Sequence, residues 1–353
     1  MDRLKLIEIL DIAKPALASK EFIPIFTFFC FDEKTVFAYN DIVSIQIPFE
    51  SPIQGAVVGE RLIALLKTHH SDKVEFKHKK DGEELSVRVG NTWLQLPFLP
   101  PKDFLFKFPE VKSNFNITLN NSFIEGLKCT LVSAGVDTSR PKALGVTLVL
   151  GEEIILYSTD NQTMTEYFVD ADKADKGHDR EMLLPREFCS ILISLYDKMG
   201  KDDEAILCIE DDHLIAKMGK SQAYANLTPQ EPLDFAGTIS RFMDGVKKKS
   251  FIDIPKGFEG ALERSILLLD PAQRNLCLFN IEDQKLTIQT SSRLGKGKDP
   301  FKIKGNPGDI EVLVNPRHVS RVLEYVDNMC FRKTCVIMRG GDNYLHLIST
   351  QPE

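Results

Sequence analysis

One pattern of sequence recurs three times along the chain, so the chain must fold as three similar units and not around a single core. Each copy carries a strand, a first helix, a pair of strands, a second helix and a closing hairpin. The second helix gives the register. VGERLIALLK begins at Val58, LPREFCSILI at Leu184 and VNPRHVSRVL at Val314, offsets of 126 and 130 residues. Apolar residues recur three and four apart in every copy: Leu62, Leu65 and Leu66; Phe188, Ile191, Leu192 and Leu195; Val319, Val322, Leu323 and Val326. That spacing packs one helical face on a sheet and leaves the other polar. The first helices are LKLIEILDIAKPALAS, SFIEGLKCTLVSAG and KGFEGALERSILLLD, and Pro15 should kink or shorten the first of them. Closing hairpins are expected from Val74–Lys77 with Leu85–Val89, Ala205–Ile209 with Leu214–Met218, and Cys335–Met338 with Tyr344–Ile348, because each pair alternates around a short polar or Gly turn.

The 353 residues divide into three stretches of about 118, an ordinary domain size. The expected domains are 1–114, 115–239 and 240–353, with linkers at the Pro-bearing segments 99–104 and 228–232. The acidic run from Asp170 to Glu181 is expected to project into solvent. Hydrophobic residues at 43% and charged residues at 27% suit a soluble α+β protein with real cores. No apolar run has the length of a membrane helix, and MDRLKLIEIL carries acids where a signal peptide would be apolar; a cytoplasmic location and no membrane partner are expected.

Catalytic chemistry finds no constellation. The seven cysteines are scattered and flanked by apolar residues, reading as reduced core thiols and not as metal-binding pairs. His69 and His70 beside Asp72, and Asp211, Asp212 and His213, lie at a helix end and a hairpin turn with no third ligand or nucleophile. Gly295-Lys-Gly-Lys-Asp299 lacks the helix and the Ser or Thr of a phosphate loop and reads as a basic hairpin loop; Lys247–Lys249 reads as a solvated linker. The expectation is a protein that is not an enzyme and takes no cofactor and no metal.

The net charge of −7 argues against nucleic acid unless cations are concentrated on one surface. The three stretches carry −1, −10 and +4, so the positive charge is not evenly spread.

The three-copy layout resembles the bacterial DNA polymerase III beta-subunit, or beta sliding clamp, family. The likeness is sharpest where Ser133-Ala-Gly-Val-Asp-Thr-Ser-Arg140-Pro141, Gly145-Val-Thr-Leu and Ser158-Thr-Asp160 follow the order of that family's Asp-Thr-Arg-Pro, Gly-Val-x-Leu and Ala-Thr-Asp-Gly signatures. Leu94-Gln-Leu-Pro97, Phe108-Pro109-Glu110 and Ile23-Pro24-Ile25 resemble the family's first domain. The resemblance implies a DNA clamp fold of three repeated domains, each with two helices packed on antiparallel sheets, and a head-to-tail dimeric ring. Strand edges left by one copy would pair with the next. As a sliding clamp the homodimer would encircle double-stranded DNA without reading sequence and tether a replicative DNA polymerase, after placement by a clamp loader. The alternative is a clamp-fold interaction scaffold or replisome regulator that does not encircle DNA.

Helix polar faces turned into such a ring would present Lys20, Lys67, Lys128, Arg140, Lys142, Arg186, Lys198, Arg264, Arg317 and Arg321 to phosphates, with the acidic residues outside. Taken singly, each is an ordinary solvated cation; the reading rests on the set.

The partner-peptide pocket implied by the resemblance departs from the family. Thr159, Asp160, Asn161, Gln162, Thr163 and Met164 stand where the family has Thr-Asp-Gly-His-Arg-Leu, and Leu233-Asp-Phe where it has Pro-Asp-Tyr. Leu347 and Ile348 lie in the strand standing for Tyr-x-x-Met-Pro-Met, and Ala143 and Ile239 complete the expected apolar cleft. These departures imply a divergent member with its own partner motif, as a phage-encoded replication system would have.

Overall fold

The computed structural model describes the chain except for residues 19–22, 79–82, 102–107, 109–114, 173–174, 176, 178, 201–202, 211, 228–232, 271, 273–274, 306 and 352–353. Its helices are α1 (Arg3–Ala13), α2 (Gly59–Thr68), α3 (Asn121–Leu131), α4 (Arg186–Tyr196), α5 (Phe235–Met243), α6 (Phe258–Leu267) and α7 (Pro316–Ser320). Residues 1–114 supply strands β1 (Phe28–Phe31), β2 (Thr35–Tyr39), β3 (Val43–Pro48), β4 (Gly55–Val58), β5 (Val74–His78), β6 (Glu84–Val89) and β7 (Thr92–Leu99). Residues 115–239 supply β8 (Asn116–Thr118), β9 (Gly145–Leu150), β10 (Ile154–Thr159), β11 (Thr163–Val169), β12 (Arg180–Pro185), β13 (Ala205–Ile209), β14 (His213–Met218) and β15 (Ser221–Asn226). The remainder supplies β16 (Ile252–Asp253), β17 (Cys277–Glu282), β18 (Lys285–Ser292), β19 (Gly295–Lys302), β20 (Ile310–Val314), β21 (Asn328–Phe331), β22 (Cys335–Gly340) and β23 (Tyr344–Ser349).

The chain forms two compact units. The first comprises Met1–Ile124, Asp172–Asp175 and Leu184–Pro229. Its eleven strands run in the order β5-β6-β7-β4-β1-β2-β3-β15-β14-β13-β8. The join between copies is the antiparallel pair β3–β15, with Ile45 opposite Ala223, so an edge that either copy alone would leave open is closed. Helices α1, α2 and α4 bury Leu6, Leu10, Leu62, Leu66, Phe188 and Leu192. Asp2 caps α1 by accepting the Lys5 N–H. Pro15 ends that helix as its sequence predicts, in a tight turn over Lys14–Ala16. Buried Arg3 fastens α1 to its neighbour: its guanidinium donates to the carbonyl of Leu66 near the end of α2 (2.7 Å) and to that of Ser71 (2.6 Å).

The second unit comprises Glu125–Ala171, Lys176–Leu183 and Gln230–Glu353. It holds an eight-stranded sheet, β12-β9-β10-β11-β23-β22-β21-β16, and a four-stranded one, β19-β18-β17-β20. Here the copies join through β11 and β23, with Met164 opposite Leu347 and Thr165 opposite His346. Helix α6 packs on β18 and β19, and α5 covers one face of the eight-stranded sheet through Phe235 and Ile239.

All three expected hairpins form, as β5–β6, β13–β14 and β22–β23. The boundary drawn between residues 239 and 240 lies within α5, whose apolar residues Phe235, Ile239 and Phe242 are spaced for a helix face. Two local readings change. Gly295–Asp299 is not a hairpin loop but the start of β19, paired along its length with β18. Within the acidic run, Asp175 is buried and accepts the Thr118 N–H at 3.3 Å. Lys247–Lys249 are exposed, as expected of a solvated linker, and Lys248–Ser250 forms a short helical turn. The linker at 228–232 and most of that at 99–104 lie outside the described residues.

Candidate functional site

The site is built on the turn between β10 and β11. Asp160 organises it: one carboxylate oxygen accepts from the Gln162 N–H (2.9 Å), the Thr163 N–H (2.6 Å) and the Thr163 hydroxyl (2.9 Å). Asn161 takes a positive φ of 68°, a conformation that Asn tolerates better than most residues, so the turn survives where the family pattern has Gly. Thr159 is buried and donates its hydroxyl to the Thr163 carbonyl at 2.7 Å.

Strand pairing then lays Thr159, Met164, Leu347 and Ile337 in one row across four strands. Helix α5 stands over this sheet face, its Phe235 ring stacked on Tyr157 with centroids 5.0 Å apart. Asp234 caps the helix by accepting the Gly237 N–H (2.9 Å), and Arg332 donates to the carbonyls of Phe242 and Asp244 at its other end. Between helix and strands lies a cavity of about 320 Å³. Its lining includes seven of the ten expected residues: Thr159, Asn161, Gln162, Thr163, Met164, Leu233 and Leu347.

Ala143, Ile239 and Ile348 do not line it. Ala143 is buried and its carbonyl accepts the Gly135 N–H. Ile239 lies in the core beneath α5, and Ile348 follows Leu347 on the strand and so points through the sheet. The lining also holds Asp234 and Phe235, which follow Leu233 in the segment read for the pocket, and adds Thr238, Phe242, Cys335 and Ser349, which sequence reasoning missed. Burial raises the Cys335 thiol pKa to about 11, so at neutral pH it is an apolar wall and not a thiolate. Arg241 donates to the hydroxyl oxygen of the lining residue Thr238 at 3.0 Å. On the other side His318, at the start of α7, and Gln162 share a hydrogen bond of 2.8 Å between Nε2 and Oε1. Burial lowers the His318 pKa, Asp160 opposes that, and Arg321 adds to it.

The candidate cations divide. Lys20 lies outside the described residues. Lys67 pairs with Asp11 (2.8 Å), Lys198 with Glu8, Arg140 with Asp137 (3.7 Å) and Arg264 with Asp299 (2.7 Å). Lys128 stands in the last turn of α3, Arg186 opens α4, Lys142 lies in the turn Pro141–Ala143, and Arg317 and Arg321 occupy α7 and its end. The expected separation of acids from these cations therefore does not hold at Glu8 and Asp11, which sit among them. Among the described residues no group of His, Cys, Asp and Glu is placed to hold a metal ion, and no helix is long and apolar enough to cross a membrane.

Comparison of structures decides the architecture. The chain superposes over its whole length on DNA polymerase III beta subunit from Thermotoga maritima (TM-score 0.79, 16% identity, 98% of that chain covered). It matches equally fully a sliding clamp from Pseudomonas aeruginosa bound to griselimycin (0.77, 15%, 98%) and one from Bacillus subtilis (0.76, 16%, 98%). The chain has the DNA sliding-clamp fold. The sequence matches no family model and no curated protein, as befits a divergent version of the fold.

The site is built on the Asp160 turn, the β11–β23 join and the row Thr159, Met164, Leu347 and Ile337 across it. A sequence signal for the missed residues did exist. Phe235, Ile239 and Phe242 have helical spacing behind the N-cap Asp234, which places Thr238 and Arg241 on the neighbouring face.

Proposed function

We propose that the chain is a non-enzymatic DNA sliding clamp, a homodimeric ring that encircles duplex DNA without reading sequence and holds a replicative polymerase through the pocket under α5. The observation that carries this reading is the full-length clamp fold together with a mostly apolar cavity on the β11–β23 join. Three domains, at about 1–114, 115–239 and 240–353, remain the proposed division, with a clamp loader as the partner that opens the ring and the cytoplasm as its place of action.

Open sheet edges support dimer closure. Strand β19 ends the four-stranded sheet and exposes Lys296, Lys298 and Lys302, while Leu267 and Leu294 are exposed at 77% and 56%. Strand β5 ends the eleven-stranded sheet. Pairing between these two edges of different copies gives a closed twofold ring in which neither β19 nor β5 is left free.

One observation favours a second reading, a clamp-fold scaffold that does not encircle DNA: four of the candidate cations are already paired with carboxylates. Solution mass separates the two. A stable particle near twice 39.9 kDa supports the ring; a monomer at all working concentrations supports the scaffold.

A further inference from the structure

We propose that α1 is an acidic brake on the nucleic-acid surface: Glu8 and Asp11 hold Lys198 and Lys67 in ion pairs that duplex phosphates must displace. The inference rests on the DNA-encircling reading and deepens it. Glu8 and Asp11 are three residues apart on α1, hence on one helical face, while Leu6, Ile9, Leu10 and Ala13 bury the other. Asp11 reaches the last turn of α2, where its carboxylate meets the Lys67 ammonium at 2.8 Å, and Glu8 reaches Lys198 just beyond α4. One helix thus neutralises a cation from each of its two neighbours.

These pairs are open to water. Side-chain exposures are 49% and 40% for Lys67 and Asp11, and 54% and 45% for Lys198 and Glu8. Pairs so exposed contribute only about 0–1 kcal/mol to stability, so they are easily exchanged. Nor does α1 need them for attachment. Its apolar face is buried and Arg3 ties it to the Leu66 and Ser71 carbonyls. What the acids do change is the charge offered to DNA. Each lysine freed from its carboxylate adds a phosphate contact and the release of a counterion. A clamp must hold DNA without gripping it, and internal competition by carboxylates weakens the grip without removing the cations.

The test measures binding of the full chain to a short linear fluorescent duplex over a range of salt. The variants are Glu8→Gln with Asp11→Asn, each single change, Lys67→Gln with Lys198→Gln, and Glu152→Gln with Glu153→Gln as an equal charge change elsewhere. The brake predicts about tenfold tighter binding at low salt for the Glu8/Asp11 double variant, with a salt slope steeper by up to about two charges. The Lys67/Lys198 variant should bind more weakly and the Glu152/Glu153 variant like wild type. Binding by wild type that the Glu8/Asp11 changes leave unaltered, or alter no more than Glu152/Glu153 do, overturns the brake and spares the DNA reading. Absence of salt-dependent binding in wild type and every variant overturns both. Thermal melting checks that each variant is folded, and either single change, expected to give about half the effect on a logarithmic scale, replaces a double variant that is not.

Discussion

His346 and Thr165 are directly opposed across the β11–β23 join, with His346 Nδ1 2.8 Å from the Thr165 hydroxyl oxygen, which lies 2.7 Å from that of Ser133. The imidazole is fully buried, and its Nε2 has no hydrogen-bond partner. Burial, opposed by Asp160, lowers its pKa from 6.5 to about 3. The folded state thus prefers the neutral ring. Its contribution to stability is complete above the unfolded pKa near 6.5 and is lost as pH falls from there toward 3, at about 1.4 kcal/mol per unit. Denaturant unfolding at pH 7 and pH 5 should show His346→Gln with a smaller loss on acidification than wild type. Equal losses would contradict the assignment.

Arg3 should matter more than its place at the chain's start suggests. Arg3→Ala removes two donors from buried or half-buried carbonyls and leaves the end of α2 uncapped, a cost of about 2–3 kcal/mol. Lysine should recover only part of this, since one ammonium cannot match the forked geometry. Urea midpoints of the two variants test it; an Arg3→Lys variant as stable as wild type would count against the forked contact.

Gly126 lies inside α3, where alanine would ordinarily be the better helix former. A Cβ there would sit 2.6 Å from a ring carbon of Tyr167 and 2.8 Å from a methyl of Leu156. Gly126→Ala is therefore expected to destabilise by about 1–3 kcal/mol, as overpacking does. A raised melting temperature would show that helix propensity outweighs the contact.

The pocket lining carries Gln162 and Thr163 where the family's pattern has His-Arg, with His318 hydrogen-bonded to Gln162. A peptide from a standard bacterial clamp partner is accordingly expected to bind more weakly than a micromolar Kd, about −8 kcal/mol. Micromolar binding that Met164→Ala leaves unchanged would contradict the divergent pocket.

Much of the fold was legible because it is written in local periodicity. The apolar spacing of Leu62, Leu65 and Leu66 and of its counterpart in α4 marks two of the second helices, whereas α7 ends at Ser320, before Val322, Leu323 and Val326; alternation marks the three hairpins. The Asp160 segment was marked only by its likeness to the family's Thr-Asp-Gly pattern, and the turn it makes rests on hydrogen bonds within four residues. What was hidden depends on distant partners. Glu8 with Lys198, and Gln162 with His318, meet only because strands and helices far apart in sequence pack together. Helix α5 was masked by a different cause: it lies outside the repeated pattern, and Phe235 and Ile239 were read as pocket residues without the helix that carries them.

The central claim is topological linkage to duplex DNA. It is tested by loading the chain onto DNA and comparing retention on a circular duplex with retention on the same duplex linearised. The sliding-clamp account predicts stable retention on the circle and rapid loss from the linear form as the ring slides off its ends. Equal, salt-sensitive release from both forms would contradict it.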